Sequence, residues 1–205
     1  MRAISPSSPA ADDPKPQRLV LRDGTVTAVR AAIPADCGRV ARLFHDLSPE
    51  SHYKRFFSVT DPSKDLIRRF CDTADPAGTA TLIATREGDD GERIVAVASY
   101  MALTKATADA AFAVADDFQG KGIGTLLLEH LAAKALRHGF MQFHATTMSG
   151  NDAMLEVFRE SGFEIRSRLE SGCADVELSL TLPLAGWPPR SGAVSARPSP
   201  RCSRS

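Results

Sequence analysis

The chain has 205 residues, 43% of them hydrophobic, with 25 basic and 25 acidic side chains. That length and apolar share suit one domain with a packed core, while zero net charge argues against bulk binding to nucleic acid or a membrane surface. No apolar run nears ~18 residues, the head has no apolar signal-like core, and Cys37, Cys71, Cys173 and Cys202 form no C-x-x-C pair, so a cytoplasmic protein with reduced thiols and no metal site is expected.

Charge and composition shift at two borders. Residues 1–18 are Pro/Ser/Ala-rich with a net charge of +1, and residues 183–205 are Pro/Ser/Arg-rich at +4, leaving −5 on residues 19–182. Neither end has apolar periodicity, so the expectation is a flexible tail over 1–18, one domain over 19–182 and a disordered basic tail over 183–205. After an Asp23-Gly24 turn, Thr25–Arg30 alternates as a first strand. Pro34 and Asp36 open a helix over Ala35–Leu47, Ser48-Pro49 opens a second, and Asp61-Pro62 opens a third. Strands follow at Ala80–Arg86 and Arg93–Leu103, joined by a turn at Gly88–Gly91, and at Ala110–Ala115. Ile123–His138 repeats apolar residues at helical spacing and stops at Gly139. A strand at Phe140–Thr146, a helix at Asp152–Ser161 and strands at Phe163–Leu169 and Ala174–Leu182 complete the order β-ααα-βββ-α-β-α-ββ. This is a mixed α/β pattern with antiparallel hairpins and one βαβ crossover.

The chemistry concentrates in Ala111–Leu127, AFAVADDFQGKGIGTLL. A short apolar strand runs into Gln119-Gly120-Lys121-Gly122-Ile123-Gly124, and a helix begins inside the glycines. Orphan N–H groups and the positive end of a helix dipole make such a junction an anion site, and glycine lets the backbone approach a phosphate. Lys121 adds a positive charge. The spacing matches neither a P-loop nor a dinucleotide fingerprint.

The pattern Q-x-x-G-x-G after a strand and before a helix resembles the pyrophosphate loop of the GNAT superfamily of acyl-CoA-dependent N-acyltransferases, with Gln119, Gly122 and Gly124 at the pattern positions. Leu47-Ser48-Pro49-Glu50-Ser51 through Arg55-Phe56-Phe57 is similar to the bacterial protein-lysine acetyltransferase (Pat-type) branch. Ser149-Gly150-Asn151 through Phe158 and Gly162-Phe163 resembles the family's later strand-to-helix segment. The resemblance covers nearly all of 23–182. It implies a GNAT-like, mostly antiparallel sheet with one V-shaped splay between two parallel strands, and acetyl-CoA as cosubstrate without a metal. It places Phe112, Ala113 and Val114 on the pantetheine arm, with their N–H groups near the thioester carbonyl. Gln119, Gly120, Lys121, Gly122, Ile123 and Gly124 fall on the pyrophosphate, and Asn151 and Phe158 against the CoA arm. Asn151 equally suits a helix N-cap.

An amine of pKa ~10.4 is deprotonated in only about one molecule in two thousand at pH 7, so transfer to lysine benefits from a carboxylate base. The Pat-type branch carries a Glu at the start of the strand leading to the loop. Ala108-Asp109-Ala110-Ala111-Phe112 matches that run, which implies Asp109 as the catalytic base, one methylene shorter. The histidines show no triad or metal spacing and are expected on surfaces and helix faces. Cys71, Cys173 and Ser149 lack an activated setting, so direct transfer in a ternary complex is expected. The acceptor is a protein lysine or a small amine; the third possibility is a CoA-sensing module. Pat-type domains are often fused to regulatory or synthetase-like regions, for which this chain has no room, so a stand-alone or shortened relative is expected. The oligomeric state stays open.

Overall fold

The computed structural model describes residues 16–75, 77–88 and 91–180. The two expected tails, apart from residues 16–18, lie outside the described residues, as do Asp89 and Asp90 of the predicted turn, Leu182 and Cys202. Thirteen regular elements follow in chain order. These are strands β1 (Gln17–Val20) and β2 (Val26–Ala31), helices α1 (Cys37–His45), α2 (Pro49–Phe56) and α3 (Lys64–Phe70), and strands β3 (Thr79–Gly88), β4 (Gly91–Ala102) and β5 (Thr107–Val114). Helix α4 (Ile123–Arg137), strand β6 (Gln142–Met148), helix α5 (Asp152–Glu160) and strands β7 (Glu164–Glu170) and β8 (Cys173–Ser179) complete them.

The eight strands form one sheet in the order β1-β2-β3-β4-β5-β6-β8-β7. Only β5 and β6 are parallel, joined through α4; every other neighbour is antiparallel. The mixed α/β order expected from sequence holds, with one addition. Gln17 and Arg18, assigned to the head, pair with Val29 and Ala28 in β1, so Asp23-Gly24 is the turn of a β1–β2 hairpin. Thr25 N donates to Asp23 Oδ1 at 2.9 Å and Gly24 takes φ +83°, the left-handed conformation glycine tolerates best.

Strand β4 explains why the core sits where it does. Ile94 through Tyr100 are all buried, the signature of a central strand covered on both faces. Tyr100 packs edge-on against Phe140 and His138 at the end of α4, whereas Ser99 and Met101 border a hollow shared with Phe56 of α2 and Phe70 of α3. Alternate residues of β4 therefore face α4 on one side and α2–α3 on the other. Phe44 of α1 meets Phe56 and Phe70 at centroid distances of 5.0 and 5.6 Å, tying the three short helices into one layer.

Local signals set the helix ends. Ser48 Oγ accepts from Ser51 N at 3.2 Å with Pro49 at the first helical position. The third helix starts later than expected: Ser63 caps it, accepting from Leu66 N at 3.2 Å, because Asp61 is engaged with His45 and His52 instead. His52 is correspondingly buried, not on the surface. Asp36, fully buried, closes the entry of α1. It accepts from both Arg30 guanidinium nitrogens (2.6 and 2.9 Å), from Arg39 (2.9 Å) and from Ile33 N (2.9 Å). Burial pushes this carboxyl up, but Arg30 and the Ile33 amide outweigh burial and hold it below the usual carboxylate range. Among the described residues no helix is long and apolar enough to cross a membrane, and no three His, Cys, Asp or Glu side chains are grouped to hold a metal ion.

Candidate active site

Strands β5 and β6 pair only over Thr107↔Gln142, Ala108↔Phe143 and Asp109↔His144. Beyond that point β5 stays paired with β4 up to Val114↔Ala96, and β6 with β8 up to Met148↔Cys173. The two parallel strands thus part after Asp109 and His144 and leave a wedge, the V-shaped splay expected from sequence. Ala115 N donates to Val95 O across β4 at 2.9 Å. By the two-residue alternation of a strand, Ala111 and Ala113 also face β4, while Phe112 and Val114, beyond the last β5–β6 pair, turn their backbone groups into the wedge. Of the three expected pantetheine positions, Phe112 and Val114 present backbone donors there; Ala113 is committed to β4.

The glycine loop stands at the open end of the wedge. Gly120 and Gly122 take φ +71° and +82°, and Gly122 is the N-cap of α4. The first intrahelical bond runs from Leu126 N to Gly122 O at 3.2 Å. The N–H groups of Ile123, Gly124 and Thr125 consequently have no acceptor among the described residues, as the geometry of a helix start requires. A side chain at Gly122 would meet Arg22 Nε at 3.1 Å, and one at Gly124 would meet Val157 Cγ2 of α5 at 2.9 Å. The glycines therefore keep a cradle of bare backbone open between α4, α5 and the β1–β2 turn. A cleft connects cradle and wedge. Its walls include Phe112, Ala113 and Val114 of β5, then Gln119, Gly120, Gly122, Ile123 and Gly124 of the loop, with Ser51 and Lys54 of α2 on one side and Asn151, Met154 and Val157 on another.

Several predicted residues act differently from their sequence roles. Lys121 does not line the cleft: its ammonium pairs with Asp23 at 2.9 Å and lies 4.9 Å from the Phe118 ring centroid. The Thr25 amide, then Lys121, pull the Asp23 carboxyl down to about 2. The cation at the cradle is instead Arg22, which lines the cleft and pairs with Glu160 at the end of α5. Gln119 spends its amide on Ser51 Oγ (3.0 Å) and the Val114 carbonyl (3.2 Å), so it braces the loop. Asp116 anchors the same brace, accepting from Ser48 N and Oγ (both 2.9 Å) and Ser51 Oγ (2.6 Å). Burial pushes the Asp116 carboxyl up, but the Ser51 and Ser48 donors outweigh it and hold it low. Asn151 lines the cleft and also caps α5, accepting from Met154 N at 3.3 Å and donating to Thr147 Oγ1 at 3.0 Å. Phe158 is buried beneath the floor, edge-on to Phe112 at 6.5 Å.

Asp109 occupies the vertex, the last residue of β5 paired with β6. It opens into a second hollow of about 350 Å³ on the α2–α3 side of the sheet, walled by Phe56, Phe57, Leu66, Phe70 and Met101. Arg55 borders both this hollow and the cleft, stacked over Phe56 and Phe70. Burial lowers its guanidinium to about 10, with Asp109 opposing the shift. His144 Nδ1 lies 3.2 Å from Asp109 Oδ1, a contact that the sequence, read one element at a time, does not reveal. Cys71 is no nucleophile: burial and then Cys37 push its thiol up to about 12. Cys173 and Ser149 line neither space.

Comparison with known proteins agrees with this geometry. Residues 44–163 match the sequence profile of the acetyltransferase (GNAT) family. The chain is 30% identical over 146 residues to an acetyltransferase of Pseudomonas aeruginosa, covering 70% of this chain and 77% of that protein. It is 31% identical over 148 residues to the acetyltransferase Pat of Mycolicibacterium smegmatis, covering 72% of this chain but only 44% of that longer protein. The crystal structure of the GNAT domain of S. lividans PAT superposes with a TM-score of 0.72 at 30% identity, over 84% of this chain and 99% of that domain. Sequence profile, splayed sheet and glycine cradle converge: the chain belongs to the acetyltransferase (GNAT) family and is an acyltransferase.

Proposed function

We propose that the protein transfers an acetyl group from acetyl-CoA to the side-chain amine of a protein lysine, directly, in a ternary complex. The carrying observation is that β5 serves two spaces at once. Toward the cleft it shows the backbone N–H groups of Phe112 and Val114; toward the hollow it shows Asp109. The cradle suits an anionic, phosphate-bearing arm, because free helix N-terminal donors, close backbone access and Arg22 meet there. The β5 N–H groups are placed to hold pantetheine amides and to stabilise charge on the thioester oxygen. The hollow suits a lysine: apolar walls for the methylene stem, a carboxylate for the head. Asp109 takes the proton that must leave before the amine attacks, and the high pKa of Cys71 favours transfer without a covalent enzyme intermediate. The described cysteines are free, in keeping with action in a reducing cytoplasm.

The test is a screen with labelled acetyl-CoA, comparing whole-protein extract with a panel of small amines. Label on protein lysines, lost in Asp109→Asn while acetyl-CoA affinity by calorimetry stays unchanged, is the expected result. Transfer to small amines alone moves the assignment to a small-molecule enzyme. Binding of acetyl-CoA with no CoA release in either arm points to a sensing module, and wild-type rates in Asp109→Asn remove Asp109 as the base.

A further inference from the structure

Resting on the reading of Asp109 as base, we infer that His144 is a positioning residue for the same reaction: the exit that passes the acceptor's proton from Asp109 to solvent. Asp109 and His144 face each other across the last pair of the parallel β5–β6 ladder, with Oδ1 and Nδ1 3.2 Å apart. Asp109 lines the acceptor hollow and His144 does not, so the imidazole stands behind the carboxylate, away from substrate. The imidazole and the Asp109 carboxylate are each about one-third exposed, so water reaches the far edge of the ring as well as the carboxylate. That edge, Nε2, lies 3.9 Å from Asp175 Oδ1, whose carboxylate also accepts from Thr146 Oγ1 at 2.8 Å. Glu177 is the cross-strand partner of His144 on β8, and Arg55 is the cation facing Asp109 from α2. An imidazolium at this place is therefore flanked by carboxylates.

The chemistry needs such a group. A carboxylate that has taken the acceptor's proton must give it up before the next turnover, and an imidazole, which accepts at one nitrogen and donates at the other, can carry it away. The acceptor ammonium gives one proton to Asp109, and Oδ1 hands it to the free Nδ1 lone pair of the Nε2–H tautomer of His144. The imidazolium then releases a proton from Nε2 to water, and exchange of the ring protons with solvent returns the ring to its Nε2–H tautomer before the next turnover. The freed amine lone pair forms the C–N bond as the C–S bond breaks, and the second amine proton ends on the CoA sulfur. One proton per turnover reaches solvent through the ring.

The experiment measures kcat and KM from pH 5.5 to 9.5, with an N-acetylated lysine peptide as acceptor, for the wild type, His144→Asn, His144→Gln and Asp109→Asn. We expect both His144 variants to keep the acetyl-CoA KM and lose kcat by about 10- to 100-fold at pH 7. Their rates should recover as pH rises and hydroxide takes the proton. In a third variant, His144→Ala, added imidazole should restore turnover without changing the wild type. Wild-type kcat and pH profile in both His144 variants, with turnover lost in Asp109→Asn, overturns the exit and leaves the base standing. Retained turnover in Asp109→Asn overturns the base and the exit with it. Loss of kcat in the His144 variants that is equal at every pH and insensitive to imidazole marks a structural role and also overturns the exit.

Discussion

Replacing Gly122 with Ala tests the cradle with a built-in control. Gly122 sits at φ +82°, and a Cβ there would come 3.1 Å from Arg22 Nε. A non-glycine residue in the left-handed region costs about 1–2 kcal/mol, so folding stability should fall by that much, about 2–8 °C in Tm for a domain of this size. The same Cβ enters the space beside the free donors of Ile123–Thr125 and crowds Arg22, one of the cations that line the cleft. Loss of an anion contact at a helix start is worth up to about 2 kcal/mol, so acetyl-CoA should bind about 10- to 30-fold more weakly. Gly139, at the end of α4, has φ +90° with nothing within 4 Å of its Cβ position. Gly139→Ala therefore carries the same backbone strain without touching the cradle. Thermal melts and calorimetric titration with acetyl-CoA of both variants separate the effects. Equal loss of stability with affinity lost only in Gly122→Ala is expected; unchanged affinity in Gly122→Ala refutes the assignment of the cradle to the phosphates.

Three further outcomes follow from the same geometry. Asp36→Asn leaves Arg30 without its buried partner and should cost about 3–5 kcal/mol by chemical denaturation; since the folded carboxyl titrates below the unfolded one, the Asp36 contribution is complete above the unfolded value near ~3.9 and disappears as pH falls through the lower folded value. Asp116→Ala removes the anchor shared by Ser48, Ser51 and Gln119 and should both lower Tm and weaken acetyl-CoA by several-fold, on the order of 1 kcal/mol each; a variant that melts lower with intact affinity would show that the brace does not reach the loop. Glu160→Gln frees the exposed Arg22 for a phosphate and should tighten acetyl-CoA by about 2- to 5-fold, an effect that fades at high salt.

What could be read from sequence was encoded among near neighbours. Ser48-Pro49, the Asp23-Gly24 turn, the helical period of Ile123–Arg137 and the glycines of the loop each act within a few residues, through caps, φ preferences and side-chain spacing. They predicted the order of elements from β2 onward and the glycine loop that borders the cleft. The start of α3 was misplaced because Asp61 answers to His45 and His52, and β1 was missed because four residues show too little alternation before the hairpin forms. The rest of the site is a product of tertiary structure. Arg22 reaches Gly122 and Glu160 from a hairpin far upstream, Lys121 turns away to Asp23, and His144 meets Asp109 only because the parallel register places them opposite each other at the vertex. The balanced charge of the whole chain conceals how its charges pair. Composition counts Arg22 and Lys121 alike, but only the fold sets Lys121 against Asp23 and brings Arg22 to the cleft beside Glu160, because charges meet over a few ångströms in space between residues far apart in sequence.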